Sequence, residues 1–144
     1  MRVFWVRRNL AFGSAITTWR DVEQLREQGI SHVINLRKNR NGKKIKEFDY
    51  LWLPFRDDKK ERPKWFYRAA LKFHQRSMRH KRSKLFVMCH HGRCRSASLT
   101  FFLLRAGGTS PRAARSLVLA ARPTAQIVRT YRVSGERYLL RQGI

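Results

Sequence analysis

The sequence predicts a single α/β domain, with a mostly parallel central sheet of about four to five strands and helices on both faces. Three observations predict it. Short β-rich apolar runs alternate along the chain with helix-patterned segments, the arrangement that builds parallel sheets. One of those runs, Leu85 to Met88 (LFVM), is wholly apolar, as a strand buried on both faces must be. The 144 residues contain no linker-like stretch and no internal repeat, so residues 1–144 should form one domain around one core.

The elements follow in order. Val3 to Val6 suits a short strand. Thr18 to Glu27 reads as a helix, because Thr18 with Asp21 three residues later resembles a capping box and Gly29 follows the end. His32 to Leu36 (HVINL) is a β-rich run. Arg37 to Lys46 is a basic loop carrying the turn signal Asn41-Gly42. Asp49 to Leu53 (DYLWL) is a further strand closed by Pro54, and Phe55 to Pro63 is a polar loop. Lys64 to Arg79 is helical, with Phe66, Ala70, Phe73 and Ser77 on one face. After the Leu85–Met88 strand, Ser96 to Ala106 is an apolar helix stopped by Gly107-Gly108. Ser110-Pro111 opens the next helix, which ends before Arg122-Pro123. A last helical stretch covers much of Ala125 to Arg141.

Charge narrows the partners. Lys plus Arg number 33 against 9 acids, a formal net charge of +24. Such a surface suits an anionic partner: nucleic acid, a phospholipid surface or a phosphorylated substrate. The charge is spread along the chain, so a solvated basic surface is the competing explanation. No apolar run reaches the ~20 residues of a membrane span. Arg2, Arg7 and Arg8 around a short apolar patch make a poor signal peptide. Two cysteines are too few for a disulfide framework, so a reducing, cytoplasmic location is expected. A monomer is the separate expectation for its assembly.

The densest chemistry lies in LFVMCHHGRCRSASLTFF, Leu85 to Phe102, between the buried strand and the apolar helix. This junction is where α/β folds place anion sites, because free N–H groups and the helix dipole point at the ligand. Cys89, His90, His91 and Cys94 are all zinc-type ligands, but four of them within six residues cannot easily wrap one tetrahedral ion. No metal or other cofactor is therefore expected. A Cys89–Cys94 disulfide would need a turn that brings the Cα atoms to about 4.4–6.8 Å.

The third reading is catalytic. Cys89 is followed six residues later by Arg95. A loop of that length can turn its N–H groups toward one centre, with the thiol at the bottom and the guanidinium at the rim. Gly92 permits a left-handed turn within it. Arg93, Arg95 and the helix N-terminus all favour a thiolate at Cys89. In an Arg-rich chain the bare spacing is weak. The preceding strand, Gly92, Ser96 and the following helix supply the weight.

CHHGRCRS resembles the Cys-x-x-Gly-x-x-Arg-Ser/Thr signature loop of the protein tyrosine phosphatase superfamily, and the small size resembles its dual-specificity branch. NLAFGSAI (Asn9 to Ile16) resembles that branch's early strand. LREQGISHVINLR (Leu25 to Arg37) resembles its first helix-strand unit, and LWLPFRDD resembles the segment carrying its general acid. The helix ending Arg122-Pro123 is similar too, so residues 1–144 read as one dual-specificity-phosphatase-like catalytic domain.

The resemblance implies that Cys89 attacks phosphorus, forming a phosphocysteine intermediate. Residues His90, His91, Gly92, Arg93, Cys94 and Arg95 would bind the phosphate, and Ser96 would help the sulfur leave. Asp57 or Asp58 would supply the proton. Asp57, three residues past Pro54, is preferred, and the competing reading of both is a solvated pair beside Lys59 and Lys60. One departure stands out: Met88 occupies the position where the family usually has His. Cys94 is either an incidental small residue or a resolving thiol for oxidised Cys89.

Phosphotyrosine, phosphoserine and phosphothreonine proteins are the expected substrates. His90, His91 and Arg93, with Arg37, Lys38, Arg40, Lys59 and Lys60 on loops expected nearby, also suit a phosphoinositide or an RNA 5′ end. A basic phosphate-binding module without turnover is the reading from another class.

Overall fold

A computed structural model describes residues 1–144. The chain opens with β1 (Val3–Arg7) and β2 (Leu10–Gly13), followed by α1 (Trp19–Glu27) and β3 (His32–Asn35). A single helical turn, α2 (Gly42–Ile45), precedes β4 (Asp49–Trp52), and α3 (Lys64–Ser77) leads to β5 (Leu85–Met88). Three helices complete the chain: α4 (Arg95–Ala106), α5 (Pro111–Ala121) and α6 (Arg129–Arg141). None is long and apolar enough to cross a membrane.

The five strands lie in the order β1-β2-β5-β3-β4. Only β1 and β2 pair antiparallel; the other pairs are parallel, as the alternation of strands and helices predicts. The apolar β5 is central, with Met88 in register with Gly13 on one side and Asn35 on the other. Strand alternation sorts its side chains between two cores. Leu85, Val87 and Cys89 join Phe12, Ile34 and the apolar faces of α3 to α6. Phe86 and Met88 face Ala11, Val33 and the smaller core under α1, where Val22 and Leu25 lie. Phe12 and Phe86 are fully buried, and burial of each ring contributes about 1.5–3 kcal/mol.

Local signals hold up. The Thr18 side chain accepts from the Asp21 N–H and the Asp21 carboxylate accepts from the Thr18 N–H, so α1 opens on the expected capping box. Phe66, Ala70, Phe73 and Ser77 are all buried along α3. Ser110 accepts from the Ala113 N–H, with Pro111 first in α5.

Leu10–Gly13 is an internal strand, within the Asn9–Ile16 stretch whose resemblance implies an early strand. Two details differ from the sequence reading. The basic loop after β3 contains α2. The last helix starts at Arg129 rather than near Ala125, because Gln126 N–H and Val128 N–H are used elsewhere, on Arg93 O and Ser98 Oγ.

Candidate active site

Cys89 follows directly on β5 and is buried, its N–H continuing the sheet onto Gly13 O at 3.3 Å. Its Sγ points into the helical side of the sheet. There it lies 3.2 Å from Ser96 Oγ, and the Ser96 N–H donates to it at 3.4 Å. Ser96 is fully buried in the first turn of α4, so the sulfur sits at the positive end of a twelve-residue helix.

The loop from His90 to Cys94 is built by its carbonyls. Ala15 N–H donates to His90 O at 3.2 Å, and Gln126 N–H to Arg93 O at 2.8 Å. Arg122 Nη1 donates to both His91 O and Gly92 O at 2.7 Å. Ser98 N–H donates to Cys94 O at 2.9 Å. With the carbonyls held outward, the N–H groups of His90 to Cys94 donate to no protein group and are left for an anion. Gly92 makes the curl possible. Its φ is +68°, and a Cβ there would stand 2.4 Å from Gly13 C, so only Gly fits.

Arg95 projects from the start of α4 between two neighbouring loops. Its Nη1 donates to Phe55 O at 3.1 Å and Leu36 O at 3.4 Å, which leaves its remaining N–H groups for a bidentate partner. Arg37, next to Leu36, donates through Nη1 to Asn41 Oδ1 at 3.1 Å and has no acidic partner. Burial, and then the Arg95 charge, hold the pKa of its guanidinium below the usual value. Lys43 and Lys44 line an adjoining groove of about 510 Å³ with Arg37, Asn41 and Trp19. The His90 imidazole, exposed at the rim, is held below the usual range by His91, whose ring centroid is 4.3 Å away, and by Arg37 and Arg95.

The two candidate acids part company. Asp58 is tied back: the Lys60 N–H donates to its Oδ1 at 2.9 Å and Arg62 pairs with the same oxygen. The Lys60 N–H, more than Arg62, holds its carboxyl below the usual range. Asp57 is exposed and has no salt bridge. The Lys59 N–H donates to the phenolic Oη of Tyr131 at 2.8 Å, and the Tyr131 O–H reaches Asp57 Oδ1 at 3.4 Å. Burial first, and then the Asp57 charge, push the Cys94 thiol up. Cys94 Sγ donates to Gln126 Oε1 at 3.3 Å, and neither cysteine is in a disulfide.

Cys89, His90, His91 and Cys94 do not converge, and no group of three or more His, Cys, Asp or Glu side chains is placed to hold a metal ion. Met88 does not lie beneath the sulfur. It points to the opposite face of the sheet, into the apolar core with Ile16 and Phe86. Pattern reading missed Arg122, Tyr131 and Gly13. Arg122 had been noted only as a helix ending, and nothing local tells that a side chain 30 residues from Gly92 will bind its carbonyl.

The arrangement is a sulfur at the floor of an arc of free N–H groups, with a guanidinium at the rim and, on the loop after β4, the Asp57 carboxylate free of any salt bridge. It can bind a tetrahedral oxyanion in line with a nucleophile. Comparison with known proteins agrees. The family model for the dual specificity phosphatase catalytic domain matches residues 11–133. The structure of PTPMT1 in complex with PI(5)P superimposes with a TM-score of 0.83 at 14% identity, covering 99% of both chains. Human DUSP28 superimposes with a TM-score of 0.81 at 24% identity over 99% of this chain and 95% of that one. DUSP15 does so at 0.81 and 22%, over 97% and 93%. No curated protein sequence matches. With the match running from β2 through the loop and α5 into the start of α6, the chain belongs to the dual specificity phosphatase family and is a cysteine-type phosphatase.

Proposed function

We propose that this phosphatase hydrolyses phosphate monoesters of protein serine, threonine and tyrosine through a phosphocysteine intermediate. The observation that carries the mechanism is the arc of unpartnered N–H groups from His90 to Cys94 around a sulfur held by Ser96. A phosphate dianion seats its three non-bridging oxygens on those N–H groups and on Arg95. Cys89 Sγ attacks phosphorus as the bond to the leaving oxygen breaks, and Asp57 gives that oxygen its proton. Water then attacks the phosphocysteine, Asp57 recovers a proton, and Cys89 leaves as a thiolate toward which the Ser96 hydroxyl donates. Arg95 and the loop N–H groups hold the charge on the transferring group throughout.

The protein substrate class rests on the dual-specificity family assignment. A phosphoinositide is the second reading. PTPMT1, similar in fold, binds PI(5)P, and the Arg37–Lys44 groove next to the loop favours a substrate with several anionic groups. The test is a panel of nitrophenyl phosphate, phosphopeptides and short-chain phosphoinositides, each assayed with a chelator present. Turnover of phosphopeptides should dominate. A kcat/KM for a phosphoinositide well above that of every phosphopeptide would replace the first reading with the second. Loss of turnover in chelator would contradict the mechanism.

A further inference from the structure

The catalytic pole leaves much of the charge unused, and the opposite end of the sheet carries a second basic surface. Three turns meet there: Arg7 to Asn9 between β1 and β2, Gln28 and Gly29 after α1, and Lys81 to Lys84 before β5. They enclose a groove of about 710 Å³ lined by Arg7, Arg8, Lys81, Arg82 and Lys84 with Asn9, Gly29 and Ser83. No acidic and no apolar side chain lines it, and none of its five cations is in a salt bridge. The floor is rigid. Leu85 N–H donates to Asn9 O at 2.9 Å, and the N–H groups of Ser31 and His32 donate to Lys84 O at 3.0 and 3.1 Å. Gly29, with φ +85°, lets the Lys84 side chain pass within 3.3 Å of where a Cβ would be.

The groove runs on into a second hollow of about 510 Å³ that shares Arg7, Arg8 and Lys84 and adds Trp5. Trp5 is partly exposed and fixed: its Nε1–H donates to Gln28 Oε1 at 3.0 Å, and Lys84 Nζ sits 5.4 Å from its ring centroid. A cationic trough that opens onto an oriented indole is the combination that takes a single nucleic-acid strand, phosphates on the cations and a base on the ring. The shape and composition argue against the other polyanions. A bilayer is flat and calls for apolar anchors, and the exposed large apolar side chains, Trp19, Trp65, Leu140 and Ile144, do not line this trough. An acidic protein partner calls for an apolar centre that the larger groove lacks.

We infer that the trough formed by Arg7, Arg8, Lys81, Arg82 and Lys84 with Trp5 is a binding site for single-stranded nucleic acid, distinct from the phosphatase site. β5 separates the two, with Leu85 at the trough end and Cys89 just beyond the other, about 13 Å for the four strand residues alone. A strand held there leaves the catalytic loop open to other substrates.

The test uses the full chain and a fluorescein-labelled oligo-uridine of about 20 nucleotides, longer than one single-strand site. Anisotropy is read against salt for the wild type, for the triple variant Arg8→Glu, Lys81→Glu, Arg82→Glu, and for a control of equal net charge. That control is Arg112→Glu, Arg115→Glu, Arg132→Glu, exposed positions on α5 and α6. The trough variant should bind at least about tenfold more weakly, with the salt slope reduced by about 2. The control should stay within about threefold. Nitrophenyl phosphate turnover should survive in both, which reports that they fold; if the triple variant fails to fold, Arg8→Glu and Arg82→Glu singly should each cost about threefold. Equal weakening in trough and control variants would overturn the site, since charge alone would then explain binding. So would a trough variant that loses phosphatidylserine vesicles and keeps the RNA.

Discussion

Arg122 Nη1 donates to Gly92 O at 2.7 Å, and the same nitrogen donates to His91 O at 2.7 Å. One guanidinium, lying over the Phe4 ring at 4.9 Å, thus holds two successive carbonyls away from the anion site. Its effect on chemistry is indirect: it positions the N–H groups that face the phosphate.

Arg122→Ala should therefore lower kcat/KM for nitrophenyl phosphate by roughly ten- to hundredfold, about 1.4–2.8 kcal/mol of transition-state stabilisation. Steady-state kinetics should show most of the loss in kcat. Arg122→Lys, which keeps the charge but reaches one carbonyl at best, should recover part of it. A loss confined to KM would mean that Arg122 acts on binding alone.

Gly92→Ala should fail in a different way. The left-handed φ costs about 1–2 kcal/mol, and the new Cβ would collide with the Gly13 backbone at 2.4 Å. The melting temperature should fall by roughly 10 °C, with turnover lost as the loop is displaced. A variant as stable and active as wild type would show that the loop has room the geometry denies.

For the acid, Asp57→Asn should cut turnover of alkyl phosphates by about 10²–10⁴ and affect nitrophenyl phosphate far less, because that leaving group scarcely needs a proton. Asp58→Asn should loosen the Arg62 contact and leave the leaving-group dependence unchanged. Tyr131→Phe removes the hydroxyl 3.4 Å from Asp57 Oδ1 and should lower alkyl phosphate turnover by about threefold to tenfold. The reverse ranking of the two Asp variants would move the role to Asp58.

Most of the fold was legible because it rests on local signals. The capping box at Thr18, the apolar run Leu85–Met88 and the periodic face of α3 each act within a few residues. Cys89, Gly92, Arg95 and Ser96 were legible because one short loop must carry them together. Asp57 could be placed near the site but separated from Asp58 only by long-range contacts, Tyr131 on one and Arg62 on the other. Met88 shows the opposite case. Met stands there where the family usually has His, and strand alternation sends its side chain to the other core, away from the sulfur.

Stability should depend on pH through His74, on the α3 helix, which burial holds down to about 4. The folded value lies below the unfolded one near 6.5, so the fold prefers the neutral ring. Its contribution is complete above pH 6.5 and is lost as pH falls toward 4, about 2 kcal/mol after allowing for partial exposure. Urea titrations of wild type and His74→Leu should converge in pH dependence if another group is responsible, and diverge over that window if His74 is.

The central claim is that Cys89 carries the phosphoryl group between the two steps. Wild-type protein mixed with nitrophenyl phosphate, quenched in acid within the first turnovers and digested with trypsin, isolates Cys89 in the peptide Leu85–Arg93, apart from Cys94. That peptide should carry the added mass of one phosphoryl group, and Cys89→Ser should show neither the modification nor turnover. Undiminished turnover by Cys89→Ser, with no phosphoryl group on the wild-type peptide, would contradict the account.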